Sequence, residues 1–435
     1  MRVSKKIKIE HALPVKVSLL QWSRRFKEVV WFDSNEHHNS YSKFDAVLAV
    51  DAFTAIQTDA HGAFGKLQEY QETTADWIFG YLSYDLKNDV EDLQSSNFDG
   101  LKFPELFFFQ PKKIFFLKGN ELELHYLGMV DDEMEEDLEE LLQKGDFQKD
   151  FFSAERSPVK LQPRIPREEY LQKVEKMLHH IQRGDIYEAN FCQEFFAENA
   201  KIDAFETFSA LNDISHPPFA TFLRNYDHYL LSASPERYLQ KQGRTIISQP
   251  IKGTAGRIHS DPEKDRQLAK DLEQDPKERS ENVMIVDLVR NDLSKTAKKG
   301  SVQVAELCKV YSFQQVHQMI STLQAELEEG IPPVEVLRTT FPMGSMTGAP
   351  KVSAMKIIEE LEETKRGLYS GAVGYFDPHG DFDFNVVIRS ILYNAEKRYV
   401  SASVGGAITA GSIPQKEYEE CLVKAAALKQ VLEEH

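Results

Sequence analysis

The stretch PKERSENVMIVDLVRNDL, residues 276–293, sets the terms for the whole chain. Its spacing predicts a helix from about Pro276 to Leu293, apolar on nearly every face from Val283 to Val289, so it has to be buried in a body large enough to cover it. The same helix carries Glu278, Glu281, Asp287, Arg290, Asn291 and Asp292, and buried charge is costly unless it is paired or bound to metal. Glu278 and Glu281 are three apart and share one helix face. A second predicted helix, from about Pro414 to Leu432, repeats the arrangement with Glu417 and Glu420. Such carboxylate pairs either hold a hard cation that keeps several waters, the habit of Mg²⁺, or are solvated helix starts with acids near the positive end of the dipole.

The body around these helices is expected to be rich in sheet. VVWFDSN, FDAVLAVDAF, WIFGYLSYDL and FPELFFFQPKKIFFLKGNELELHYLG alternate aromatic and β-branched runs with turn residues, which predicts strands and hairpins. DDEMEEDLEE keeps Met134, Leu138, Leu141 and Leu142 at helical spacing and reads as a solvated helix. Three prolines between Lys144 and Pro166 mark a linker. Beyond it Tyr170, Val174, Leu178 and Ile181 predict an amphipathic helix ending at Gly184. Further strand-like runs come after it: IYEANFCQEFF, HYLLSASPERYLQ, RTIISQP, LYSGAVGYF, DFNVVIRSILY and RYVSASVGGAI. Strands and helices mixed without a regular βαβ beat predict an α+β body rather than a Rossmann fold or a (β/α)₈ barrel. Two regions are expected: a sheet-rich N-terminal region, 1–155, and, beyond the linker, a second region, 166–432.

Charge narrows the function classes. With 52 Lys+Arg against 69 Asp+Glu the net charge is −17, which repels phosphate backbones and anionic lipid, so no nucleic acid and no membrane partner are expected. No window reaches the length of a membrane span, and the first twenty residues lack the apolar run of a secretory signal. A cytoplasmic chain is expected. Cys192, Cys308 and Cys421 are too far apart for a zinc motif and too few for a disulfide framework.

Several turns are richer than connection requires. SQPIKGTAGR places Lys252 between Ile251 and Gly253 at a strand end, followed by Thr254. It is either a nucleophile whose charged form is disfavoured by apolar neighbours or an exposed turn lysine. Glu236, sixteen residues earlier on what reads as the neighbouring strand of a hairpin, is a proton donor or half of a surface ion pair. FPMGSMTGAPK sets Gly344, Ser345, Thr347 and Gly348 before a helix start at Ala349-Pro350, giving either backbone N–H groups for an anion or a plain glycine turn with an N-cap. Gly405 and Gly406 permit close backbone approach, or form a bulge. His317 lies amid apolar residues, where a hydrogen-bonded core histidine is commoner than a ligand. Arg389 inside the apolar run FNVVIRSILY needs an anion, either a bound carboxylate or an internal acid.

Taken together, SASPERYL, QPIKGT, ERSENVMIVDLVRNDL, GSMTGAPK, YSGAVGYF, FNVVIRS and EYEEC resemble the chorismate-utilising enzymes, over roughly Pro166 to Leu432, with GYLSYDL at Gly80 to Leu86 a weaker extension. The resemblance implies two packed antiparallel β-sheets with outer helices, the N-terminal region 1–155 interleaved with the core and the region 166–432 carrying the chorismate site. It implies Mg²⁺ held by Glu281 and Glu420, with Glu278 and Glu417 in support, reaching a carboxylate of chorismate. Gly253, Thr254, Thr347, Tyr369, Arg389, Gly405 and Gly406 would line the chorismate site, with His317 near the ring. Within the family, Lys252 resembles the aminodeoxychorismate synthase component I branch, where anthranilate synthases typically carry alanine. On that resemblance Lys252 attacks C2 while Glu236 protonates the departing C4 hydroxyl, and ammonia then adds at C4 and expels the lysine. Ammonia is expected from a separate glutamine amidotransferase subunit, since no stretch here resembles one. Anthranilate synthase, isochorismate synthase and a silent chorismate-binding subunit are the alternatives. Two departures stand out: Glu188 replaces the usual glutamine of the GDxYQ segment, where isochorismate and salicylate synthases carry a water-activating lysine, and the basic tail after PIKGT is shortened to Ala255, Gly256 and Arg257. The tryptophan-inhibition motif of the family is not evident.

Overall fold

Thirteen residues of one strand, Leu106–Lys118, show how the two layers of this protein are joined. In the computed structural model, which describes residues 1–37, 41–143, 158–313 and 316–433, Leu106 to Phe109 pair with the strand Ile78–Leu82, and Lys113 to Lys118 pair with the strand Glu121–Leu127. The strand Ala46–Thr58 runs beside it along both halves and shifts register between Ala52 and Thr54, where the ladder bends. Alternation decides where each side chain goes. Phe107, Phe109 and Ile114 point between the layers, where they meet Val47, Phe79, Leu223, Val373 and Leu392. Leu106 and Phe108 point outward on one side, Phe115 and Leu117 outward on the other.

Helices cover both outer faces. Tyr170 and Val174 of Arg167–Arg183, Phe208 of Ala204–Ser215, Ile358 of Lys351–Leu361 and Ala425 of Pro414–Glu433 pack on one. Phe64 of Ala63–Thr74, Ile285, Val286 and Val289 of Pro276–Ser294, and Leu337 of Pro333–Thr340 pack on the other. The ladders between strands are antiparallel throughout the described residues. The architecture is therefore α+β, two packed antiparallel layers with outer helices. The early strands thread among the late ones: Ile78–Leu82 pairs with Ala372–Phe376, and Glu28–Asp33 with Phe219–Asn225. No helix among the described residues is long and apolar enough to cross a membrane.

Three local expectations need correction. The helix Pro276–Ser294 is not covered all round: Val283 is 40% exposed, and Arg290 pairs with Asp287 at 3.0 Å on its open side. The helix Met134–Gln143 is not simply solvated, because Met134, Leu138 and Leu141 are buried in the core and Asp137 accepts the Tyr126 hydroxyl at 2.8 Å. Of the expected linker, 144–157 lies outside the described residues. The remainder is packed: Val159, Leu161 and Ile165 are buried, and the Val159 N–H donates to the Leu432 carbonyl at 2.7 Å.

Candidate active site

A cavity of about 670 Å³ opens where the two layers meet. Its walls come from the strands Glu188–Ala197 and Tyr399–Thr409, the helix Pro414–Glu433, the strand Ile251–Gly256 and the helix Pro276–Ser294. Pro250 has no N–H to give a ladder, and the chain breaks there into two short strands, Thr245–Gln249 and Ile251–Gly256, each paired to Val316–Glu326. The second shifts register between Ile251 and Thr254. That bulge takes Lys252 and Gly253 out of the ladder, and both line the cavity. Gly253 sits at φ +85°, and a Cβ there would lie 3.1 Å from Glu278 Oε2, so glycine is what admits the helix carboxylate.

Glu236 stands between the strands His228–Ser234 and Arg237–Gln242. It is not on a hairpin arm beside Lys252: Arg237 pairs with Gln249, and Lys252 comes after the Pro250 break. Its position is nevertheless well fixed. Arg237 is anchored by Asp383 at 2.9 and 3.1 Å and by Gln249 at 2.7 Å, while Glu236 Oε1 accepts the Ser345 hydroxyl at 2.7 Å. Burial pushes the Glu236 carboxyl up to about 7, against the opposing pull of Ser345, Lys252 and the Ile251 N–H. Near neutral pH this group is balanced between acid and base, as a proton donor should be.

Lys252 departs from expectation in charge. Burial does work against its ammonium, but Glu188, Glu281 and Glu236 outweigh burial and hold its pKa above the ordinary lysine value. At rest it is a charged lysine, donating to Glu188 Oε1 at 3.0 Å with 11% of its side chain exposed.

The four helix carboxylates converge. Lys277 Nζ lies 3.8 Å from Glu281 Oε1 and 4.0 Å from Glu417 Oε1, one on each helix. A Cβ on Gly406 would sit 3.4 Å from Glu417 Oε2 and 3.7 Å from Glu420 Oε1. Burial raises Glu278 and Glu417, and raises Glu281 to about 7. Burial acts the same way on Glu420, but Lys424, paired at 2.6 Å, prevails and lowers it. Glu281 Oε1 is buried without a hydrogen-bond partner among the described residues. Four acids against two lysines, with one carboxylate oxygen that takes no hydrogen bond among the described residues, fit a divalent cation that takes one or two carboxylates and keeps its waters, although the described residues show no cluster of three ligands already closed around a point.

Arg389 is not inside a strand but in the bend between Phe382–Val386 and Ser390–Asn394, at φ +53°. Burial lowers its pKa, with Tyr369 and Glu420 acting against this. Among the described residues no carboxylate pairs with it, which favours a ligand anion over an internal acid. Tyr369 and Gly405 share its cavity wall. Two residues that the resemblance assigns to the chorismate site do not line this cavity. His317 faces away from the cavity, with Nδ1 2.8 Å from Ser312 Oγ and Nε2 3.1 Å from Asp265 Oδ1, while its neighbours Val316 and Gln318 line it, as strand alternation requires. Thr347 is fully buried and spends its hydroxyl on the Met343 and Gly344 carbonyls. Its turn does lead into a helix, Lys351–Leu361, capped at Pro350, but Gly348–Ala349 first pairs with Ala189 and Glu188, and Ser345 and Met346 are the residues of the turn that reach the cavity. Sequence reasoning missed Lys277 and Lys424, which line the cavity from the carboxylate helices; their places one turn from Glu281 and Glu420 were the available signal.

The chain matches the chorismate binding enzyme family over residues 26–430. It is 40% identical over 282 residues to aminodeoxychorismate synthase component 1 of Salmonella typhimurium, covering 64% of this chain and 61% of that protein, so less than two thirds of that relative is spanned. The Bacillus subtilis protein of the same name is 32% identical over 88% of this chain and 80% of its own length. Anthranilate synthase component 1 of Thermus thermophilus is 35% identical over 82% of this chain and 77% of its own. Among solved structures, anthranilate synthase component I from Streptococcus pneumoniae superposes with a TM-score of 0.78 at 25% identity, over 91% of this chain and 94% of that one. The isochorismate synthase MenF from Escherichia coli, at 16% identity, shares the fold with a TM-score of 0.76 over 99% of this chain and 95% of that one.

Proposed function

The chain belongs to the chorismate binding enzyme family, and from that premise we propose that it aminates chorismate at C4, as a component 1 type of aminodeoxychorismate synthase. The observation that carries this reading is Lys252, brought into the cavity by a bulge and accompanied there by Glu236, whose carboxyl is pushed up to about 7.

In this proposal Lys252 forms a bond to C2 of chorismate while Glu236 gives its proton to the C4 hydroxyl, which leaves as water. Ammonia then adds at C4 and the lysine departs from C2. Arg389, which pairs with no carboxylate among the described residues, takes a substrate carboxylate through two parallel N–H donors. Glu281 and Glu420 would hold Mg²⁺, with Glu278 and Glu417 in support. When bound, the ion supplies positive charge for a second carboxylate of the dianion in an otherwise acidic protein. Lys277 and Lys424 pair with two of the same carboxylates.

Ammonia is proposed to come from a separate glutamine amidotransferase subunit, in keeping with the name component 1 carried by the Salmonella and Bacillus relatives. A cytoplasmic location belongs to the same proposal, and three free, buried thiols suit a reducing compartment. Chorismate turned over with ammonium and Mg²⁺ should give 4-amino-4-deoxychorismate, converted to p-aminobenzoate only when a lyase is added, and Lys252→Ala should give none. An unchanged product from Lys252→Ala would remove the nucleophile. The second reading is anthranilate synthesis, favoured by the Thermus relative; fluorescent anthranilate with no lyase present would establish it.

A further inference from the structure

Lys252 can attack a carbon only after losing a proton, since an ammonium has no lone pair. Five carboxylates face it: Glu188 from the strand Glu188–Ala197, Glu236 ahead of Arg237–Gln242, Glu278 and Glu281 from one helix and Glu420 from the other. Glu236 has to arrive protonated, because it gives a proton to the leaving hydroxyl. Glu278, Glu281 and Glu420 belong to the proposed cation site, and none of them lies within ion-pairing distance of Lys252 Nζ among the described residues. Glu188 does, with Oε1 at 3.0 Å.

The setting of Glu188 is that of a working group more than of a tie. It is 2% exposed, and its second oxygen, Oε2, is buried with no hydrogen-bond partner among the described residues. An ion pair kept only for stability gains little in such a place, since the orphaned oxygen carries a desolvation cost that nothing repays. The backbone under Glu188 is held from both sides, by Ala349 and by Thr409. Bare Gly348 lets one of those neighbours approach so closely that a Cβ there would be 2.2 Å from the Glu188 carbonyl oxygen.

We propose that Glu188 is the proton acceptor for Lys252. One Nζ proton passes to Glu188 Oε1 as the amine lone pair bonds to C2 of the substrate. The C4–O bond breaks, with the Glu236 proton leaving in the water formed. When ammonia bonds to C4 and the C2–N bond breaks, Nζ departs as a neutral amine and recovers its proton from Glu188. The product ammonium holds the proton that Glu236 needs to return to its acid form. The proposal rests on the reading of Lys252 as nucleophile.

The test is single-turnover formation of the Lys252–substrate adduct, monitored by intact mass with chorismate and Mg²⁺ and no ammonia. Glu188→Gln should bind chorismate within about twofold of wild type but form the adduct about 100-fold more slowly near neutral pH. Its rate relative to wild type should climb as pH is raised toward about 9, where bulk base removes the lysine proton instead. Glu188→Asp, which keeps the carboxylate, should restore most of the neutral-pH rate. Equal rates for Glu188→Gln and wild type, or a deficit that is the same at every pH and is not relieved by Glu188→Asp, would overturn the proposal. No adduct even in wild type would instead defeat the nucleophile reading beneath it, a result visible before any Glu188 variant is made.

Discussion

At Glu236 a single burial decides two properties. The folded chain holds this carboxyl at about 7 against an ordinary 4.5, so the folded state binds the proton more readily than the unfolded one. Its contribution to stability is present below about pH 4.5 and is lost as pH rises through about 7. Glu236→Gln should therefore stabilise the chain at alkaline pH by on the order of 2–3 kcal/mol, with little effect at pH 4, while losing amination; paired denaturation curves at the two pH values check this. The motif around Lys252 was legible because Pro250 and Gly253 mark a break and a bulge. Its charge was not legible. Apolar neighbours in sequence suggest a neutral amine, whereas the carboxylates that keep it charged come from positions 188, 236 and 281, which only the fold brings together. His317 and Thr347 show the converse. Their chemistry drew attention, but strand alternation and a tight turn direct them elsewhere.

Elements carry the site into register. Gly348 meets the backbone of Glu188 and Ala189 so closely that a Cβ would fall 2.2 and 2.8 Å from their atoms, which cannot swing aside. Gly348→Ala should cost about 1–3 kcal/mol and lower activity more than its loss of folded protein explains, because it moves the strand bearing Glu188; thermal melts beside specific activity measure both. Helices with acids at i and i+3 were readable from spacing alone. What spacing could not settle was whether those acids face solvent or each other, and the shared approach of Glu281 and Glu417 to Lys277 answers that. The cation they fit should bind more weakly in acid, since burial raises Glu278, Glu281 and Glu417 and bound protons must leave first. Mg²⁺ at about a hundred times its Kd should stabilise the chain by about 2.7 kcal/mol near pH 8, much less near pH 5, and not at all in Glu420→Gln; melting temperatures at the two pH values read this out.

Over the whole molecule the layers are not separable. The strand Leu106–Lys118 belongs to both, and early strands pair with late ones. Unfolding by denaturant should therefore be a single transition by both fluorescence and circular dichroism, and Phe108→Ala, which empties a site of 0% exposure, should shift it by about 3–5 kcal/mol without splitting it. Two transitions would contradict the joined ladder. The α+β class was readable from mixed strands and helices, and the interleaving of the early region with the core from the family resemblance, but the particular pairings were not, because nothing local to Ile78–Leu82 marks Ala372–Phe376 as its partner. The central claim is that this cavity holds chorismate against a nucleophilic lysine. The most direct measurement is intact mass of the whole chain after mixing with chorismate and Mg²⁺ without ammonia, and then peptide mapping. The expected result is an adduct of chorismate less one water, mapped to Lys252 and discharged as 4-amino-4-deoxychorismate when ammonium is added. Unmodified protein that nevertheless aminates chorismate, or an adduct mapped elsewhere, would contradict it.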